Sequence, residues 1–448
     1  MQYSTFAAID IGSYDVILEI FEISKKQGIR SVDKICHRME LGKDTYTLGK
    51  IRPEMEEELC RVLADFVRIM EGYRVDAYRA MASSAISEAA NSLYVLGKIR
   101  QLTGLSVTVL SNSEQRFLGY KALAAMEDNF NKIIEKGTAI LDLDGGSFQI
   151  SLFDKDALVT TQNIRMGSLR IRERLAGIQS ETEHYEEMVE ELIWNEVSSF
   201  KKMYLKDRKI ENIMLIGDVF TDSVYQNIEE KTTKIISREN FNTWYEKIIR
   251  QSPMELAVKL GIPLENASLM YPSAVIYKCL IDMMGAEHIW IPGVHMTRGI
   301  AYEYAEQMKL LKGGHNFEND ILMAAKNIGK RYAVNRPHVQ NLEMTALAMF
   351  DATKKMHGMK ERERLLLQMA VMLHDVGKYI SFNNVADSSY NIIMSNEIIG
   401  LSHIEREMVA LIARYNTVTL PSYDELVMES SLSAEQYLTC LLYTSDAA

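Results

Sequence analysis

Along the first part of the chain, apolar positions come in short runs broken by acids and glycines. Residues 4–23 (STFAAIDIGSYDVILEIFEI) read as two apolar strands around a turn at Gly12-Ser13, with Asp10 at the end of the first strand: a β-hairpin. A second hairpin begins at Thr138 and has the same grammar, LDLDGGSFQISLF over 141–153. Residues 51–73, IRPEMEEELCRVLADFVRIMEGY, set Leu59, Val62, Leu63, Phe66, Val67 and Met70 at helical spacing behind Pro53 and a run of acids, which predicts an amphipathic helix. YRAMAS predicts a strand that leads into one helix over SSAISEAANSLYVLGKIRQLTG. SVTVL (106–110) predicts another strand, and SNSEQRFLGYKALAAM opens a further helix.

Strand and helix thus alternate up to residue 125, the mark of an α/β layer domain. The segment from the second hairpin through Ile213 to Gly217 repeats that architecture. From about Asn316 the pattern is helices only, and KLLKGGHNFEND, with its glycine pair, is the linker candidate. The expected organisation is a first α/β domain over 1–125, a second over 126–310 and an all-α domain over 316–448. The last domain reads as incomplete at its C-terminus, because the helix in SAEQYLTCLL is cut off by YTSDAA.

A length of 448 residues exceeds what one core supports, which agrees with several domains. A net charge of −11 disfavours a general nucleic-acid binder, whose affinity rests on a basic surface. No apolar run is long enough to span a bilayer, so no membrane role is expected. The four scattered cysteines lack CxxC spacing, and the start MQYSTFAAIDIG lacks a basic leader before an apolar core. Both suit a reducing compartment, and the expected location is cytoplasmic.

The two hairpins carry the candidate chemistry. An aspartate at a strand end can hold Mg²⁺, and a following glycine lets the backbone approach an anion. Turn N–H groups and a serine hydroxyl can then donate to phosphate oxygens. One such turn is also a common structural device, but two heading similar halves suggest a grip on one phosphoryl group.

DIGS (10–13), LSNSEQRFLGYKAL (110–123), LDLDGGSFQISLF (141–153), IRMGSLRIRERL (164–175), MLIG (214–217) and IPGVHMTRGIAYEYA (291–305) follow the order of elements in the exopolyphosphatase/guanosine pentaphosphate phosphatase family, Ppx/GppA, which the chain resembles over most of residues 1–310. The resemblance implies two RNase H-like domains of the actin-like, sugar-kinase type with a cleft between them. It implies hydrolysis of the terminal phosphate of inorganic polyphosphate or guanosine pentaphosphate, Mg²⁺ as cofactor, and a homodimer. By position, Glu114 falls on the family's catalytic glutamate and Asp142 on the acid that places Mg²⁺ or the water. Asp10 matches the first metal-side acid, and Gly12, Ser13, Gly145, Gly146 and Ser147 match the phosphate cradle. Ser111-x-x-Glu114 is also a helix capping box, so that reading stays open for Glu114.

This sequence departs from the family at several places. Asp144 stands where a glycine is usual, Gln149 replaces a glutamate, and Ile216-Gly217-Asp218-Val219 lacks the glycine- and threonine-rich turn. Arg116 follows Glu114 by two residues rather than three. These changes keep two other readings in view: a sensor that binds polyphosphate or an alarmone without cleaving it, and an actin-like sugar or acyl kinase. The helical part resembles an HD-type domain through LHDVGK, with His374 and Asp375, and His338 upstream. Val385, Ala386, Ser388 and Asn416 stand where further ligands would be needed, so a degenerate metal site is expected.

Overall fold

Strands β1 (Ser4–Ile11) and β2 (Asp15–Ser24) pair antiparallel with Ile11 opposite Val16, which makes Gly12, Ser13 and Tyr14 the turn of the first hairpin. In the computed structural model, residues 4–126, 130–155, 157–176, 185–227, 234–311 and 315–444 are described. β1 is apolar from Phe6 to Ile9 because both its faces are covered. Ala7, Ile9 and Ile11 join one core with the helix Pro53–Gly72, while Phe6 and Ala8 pack with Ile300 and Ala301 of the helix Met296–Gln307.

A third strand, β3 (Gly28–Arg38), extends the hairpin, and β4 (Ala77–Ala82) and β5 (Val107–Val109) add on the other side in parallel. The first sheet runs β3-β2-β1-β4-β5. The second contains β6 (Thr138–Leu143), β7 (Phe148–Asp154), β8 (Ala157–Ile164), β9 (Asn212–Ile216), β10 (Ile235–Ser237) and β11 (His288–Trp290), in the order β10-β11-β9-β6-β7-β8. Read from β8, five of its strands repeat the first sheet: β7 antiparallel to β6, then β9 and β11 parallel. The duplicated hairpin pattern is therefore a duplicated sheet.

One expected element differs. Residues 83–104 form two helices, Ser84–Ser87 and Ser92–Thr103, rather than one. Asn91 breaks them, since its side chain accepts from Ile51 N and donates to Ile51 O and Glu56. An asparagine so engaged holds its own backbone off the helix.

Contacts divide the chain into two units. One holds residues 1–156 and 162–315, with the first sheet and all of the second except the start of β8, and the other holds residues 157–161 and 316–448. In the second unit the helices Phe317–Arg331, Arg336–His357, Glu361–Leu373, Val385–Ser395, His403–Arg414 and Ala434–Tyr443 bury Ile321, Leu366, Met369, Val409 and Cys440. Gly313 and Gly314 of the linker candidate, and residues 445–448, lie outside the described residues. Among the described residues, no helix is long and apolar enough to cross a membrane.

Candidate active site

Asp10 and Asp142 are each the penultimate residue of the first strand of their hairpin, opposite Ile17 and Gln149 respectively. Equivalent register in the two sheets brings them to one cavity of about 320 Å³ in the first unit. Gly12 and Asp15 join Asp10 in its wall, and Asp144 and Gly145 join Asp142. Gln115, Arg116 and Gly119 enter from the helix Asn112–Met126, and Gly217 and Asp218 from the turn after β9.

The two turns touch. A Cβ on Gly145 would lie 3.3 Å from Ser13 Cβ, and one on Gly146 would lie 2.2 Å from the Tyr46 hydroxyl and 2.7 Å from Ser84 Oγ. The fully buried Ser13 hydroxyl is 2.7 Å from the Tyr46 hydroxyl, and Ser147 Oγ accepts from Arg116 Nη2 at 3.1 Å. Gly12 and Gly145 line the cavity. Ser13 and Gly146, by contrast, pack on Tyr46 and Ser84, Ser147 packs on Arg116, and these three residues expected in the cradle are not among those that line the cavity.

Glu114 forms the cap that its spacing from Ser111 allowed. Its Oε2 accepts from the Ser111 N–H at 2.9 Å and from Ser111 Oγ at 2.7 Å, while its own N–H donates to Ser111 Oγ at 3.3 Å. This is the capping box, and the carboxylate is absent from the cavity lining. One step along the helix, Gln115 does line the cavity and donates from Nε2 to Asp144 Oδ2 at 3.3 Å.

The cavity is strongly acidic. Burial, reinforced by the Asp15 and Asp144 carboxylates, holds Asp10 well above the usual carboxylate range, and Asp10 Oδ1 is buried without a hydrogen-bond partner. Burial also raises Asp15 and Asp142, although Arg116 pulls Asp142 back. Arg116 was not assigned a role by sequence, yet it is 3% exposed and donates from Nη1 to Asp142 Oδ1 at 2.7 Å. Asp218 is the other residue that sequence reasoning passed over, and burial lifts its carboxyl to about 6. Its Oδ1 accepts from Thr221 N at 3.0 Å and from the Tyr277 hydroxyl at 3.3 Å, and its Oδ2 is buried without a partner. Gly217 must be glycine here, with φ +101° and a would-be Cβ 2.7 Å from Asp142 Oδ1. A set of mutually repelling buried carboxylates with unpartnered oxygens fits a hard divalent cation such as Mg²⁺, which takes oxygen ligands.

Residues 20–308 match the Ppx/GppA phosphatase family, and residues 322–441 match domain III of the Ppx/GppA phosphatases. The chain belongs to the Ppx/GppA phosphatase family. A Ppx/GppA relative from Photobacterium profundum, a guanosine-5'-triphosphate,3'-diphosphate pyrophosphatase, is 20% identical over 97% of this chain and 85% of its own. A bifunctional 3-dehydroquinate synthase/phosphatase from Fusobacterium nucleatum is 21% identical over 63% of this chain and 44% of its own. Among solved Ppx/GppA-like structures, an exopolyphosphatase from Cytophaga hutchinsonii superposes with TM-score 0.60 at 17% identity, covering 68% of this chain and 98% of that one. The Aquifex aeolicus family member gives TM-score 0.57 at 17% identity, covering 68% and 99%. The two α/β sheets are therefore those of the actin-like Ppx/GppA fold, and family members are phosphatases acting on phosphoanhydride bonds.

Within the region matched to Ppx/GppA domain III, His338, His374 and Asp375 each bring a ligand atom to within 4.8 Å of the others. The two imidazole rings are 5.7 Å apart, and His374 Nε2 is 3.4 Å from Asp375 Oδ1. The Lys378 ammonium donates to Asp375 Oδ2 at 2.6 Å. Among the described residues no fourth His, Cys, Asp or Glu joins this group.

Proposed function

We propose that the chain releases the terminal phosphate of inorganic polyphosphate or of guanosine pentaphosphate, with Mg²⁺ held by Asp10 and Asp142. The observation that carries this reading is the meeting of the two hairpin aspartates in one cavity, beside a guanidinium and two bare glycines. The names of the Photobacterium and Cytophaga relatives cover both substrates, which share a phosphoanhydride end. Bound Mg²⁺ would supply charge neutralisation for the phosphate oxygens. Gly12 and Gly145 contribute backbone to the cavity wall, where it can approach a phosphate. Phosphoryl transfer depends mostly on such positioning and on charge compensation.

The proton of the attacking water needs an acceptor, and Glu114 is engaged in its cap. Asp218 fills that role in this reading. Asp218 lines the cavity, its Oδ1 is fixed by Thr221 and Tyr277, and a carboxyl near 6 suits work close to neutral pH. Below about pH 6 the group is protonated and cannot accept, so kcat/KM falls on the acid side. Asp218→Asn is expected to lose about 10²- to 10⁴-fold in rate together with that acid limb, whereas Glu114→Gln keeps both. The reverse pattern would return the base role to Glu114. Gln115, an amide rather than an acid in the wall, favours a second reading in which the cavity binds condensed phosphate without cleaving it. A protein that binds either substrate but releases no phosphate would establish that reading instead.

We also read the helical unit as HD-type with a degenerate metal site. Lys378 already neutralises Asp375, and three ligand atoms fall short of a closed four-ligand shell. Purified protein is expected to carry transition metal well below one equivalent. Stoichiometric metal, lost in His374→Ala, would refute it.

A further inference from the structure

Arg116 has five N–H donors, and the structure accounts for only part of them. Nη1 donates to Asp142, Nη2 donates to Ser147 Oγ and Ser147 O, and Nε is buried without an acceptor. A guanidinium 3% exposed with an unanswered donor is costly unless something else completes it. The side chain lines the cavity, and its charge also lowers Asp10 on the opposite hairpin. The other cavity cations are different in kind. Lys34 and Arg38 are exposed on the edge strand β3, and the Arg38 guanidinium lies 5.1 Å from the Tyr14 ring centroid. Arg116 is the cation that packing fixes, bridging the strand end at Asp142 and the turn at Ser147.

We infer that Arg116 is a resident cation of the cavity: it binds an oxygen of a condensed phosphate directly, so the site holds such ligands even without a divalent metal. This rests on the reading of the cavity as a condensed-phosphate site. A planar fork suits phosphate oxygens, and a guanidinium held by buried contacts keeps that orientation without further ordering. The ion pair with Asp142 has two consequences. Asp142 Oδ1 is committed to Arg116, which weakens Asp142 as a metal ligand, and part of the guanidinium charge is cancelled before an anion arrives. Removing either partner should therefore shift anion binding in opposite directions. Loss of folding would move both the same way.

Calorimetric titration of tripolyphosphate into the full chain, in EDTA and in Mg²⁺, tests this. The parent protein is expected to bind in EDTA. Arg116→Met should weaken that binding by roughly 10- to 100-fold, the range for a lost hydrogen bond to a charged group. Asp142→Asn, which keeps an acceptor oxygen for Arg116 and removes the opposing charge, should tighten it. Breaking a buried pair is destabilising. If Arg116→Met does not fold, the Asp142→Asn arm decides alone, and unchanged or weaker binding in EDTA overturns the inference. So does a parent that binds in Mg²⁺ but not in EDTA, or an Arg116→Met protein that binds in EDTA as the parent does. Absence of binding in either buffer overturns the inference and the condensed-phosphate reading together.

Discussion

Glu114 and Gln115 are neighbours in sequence with different surroundings, because one residue is a step of about 100° around a helix. Ser111 fixes the first on the helix end, and the next position then points into the cavity. At Asp218 the same scale gives a stability prediction. Its folded pKa, about 6, lies above the ordinary 3.8, so the native state favours the protonated form. The stabilisation this provides is complete below pH 3.8 and is lost as pH rises through about 6. Asp218→Asn removes the buried charge and keeps an acceptor oxygen for the Thr221 N–H. In metal-free buffer at pH 8 the variant should be the more stable by up to about 3 kcal/mol, and the advantage should vanish near pH 4. Thermal melts at the two pH values check it, and an Asn variant less stable at pH 8 would contradict the assignment. Little of this was legible in the sequence. Ser-x-x-Glu satisfies a cap and a family position equally. Arg116 and Asp142 are 26 residues apart, and no local spacing announces their pairing.

At the scale of elements, the hairpins were legible because alternation and Asp-Gly-Ser turns leave a local trace. β3 was not, since its burial pattern alternates between exposed and half-buried positions and offers no apolar run. That is how an edge strand protects itself. The break at Asn91 was also invisible, because it depends on Ile51 and Glu56, far back in the chain. The contact between turns is another such non-local feature. Gly146→Ala would press a methyl group into Tyr46 and Ser84, which themselves hold Ser13. We expect a loss of about 1–3 kcal/mol, the usual cost of overpacking. Denaturant melts read it directly, and a neutral effect would mean that the turns are not packed as described.

For the whole molecule, the deciding feature is the repeated strand order of two sheets that carry equivalent aspartates to one cavity. Repetition of the hairpin pattern was enough to expect this architecture. Which groups the cavity keeps was not foreseeable, because that depends on which side chains the turns use to close on each other. On the function proposed above, the cavity cleaves phosphoanhydrides through its aspartates rather than through Glu114. Phosphate release from polyphosphate and from guanosine pentaphosphate in Mg²⁺ should be measured for the parent, Asp142→Asn and Glu114→Gln. Release by the parent from at least one substrate is expected, with a near-parental rate in Glu114→Gln and a loss of about 10²-fold or more in Asp142→Asn. A folded Glu114→Gln without activity, or a fully active Asp142→Asn, would contradict it.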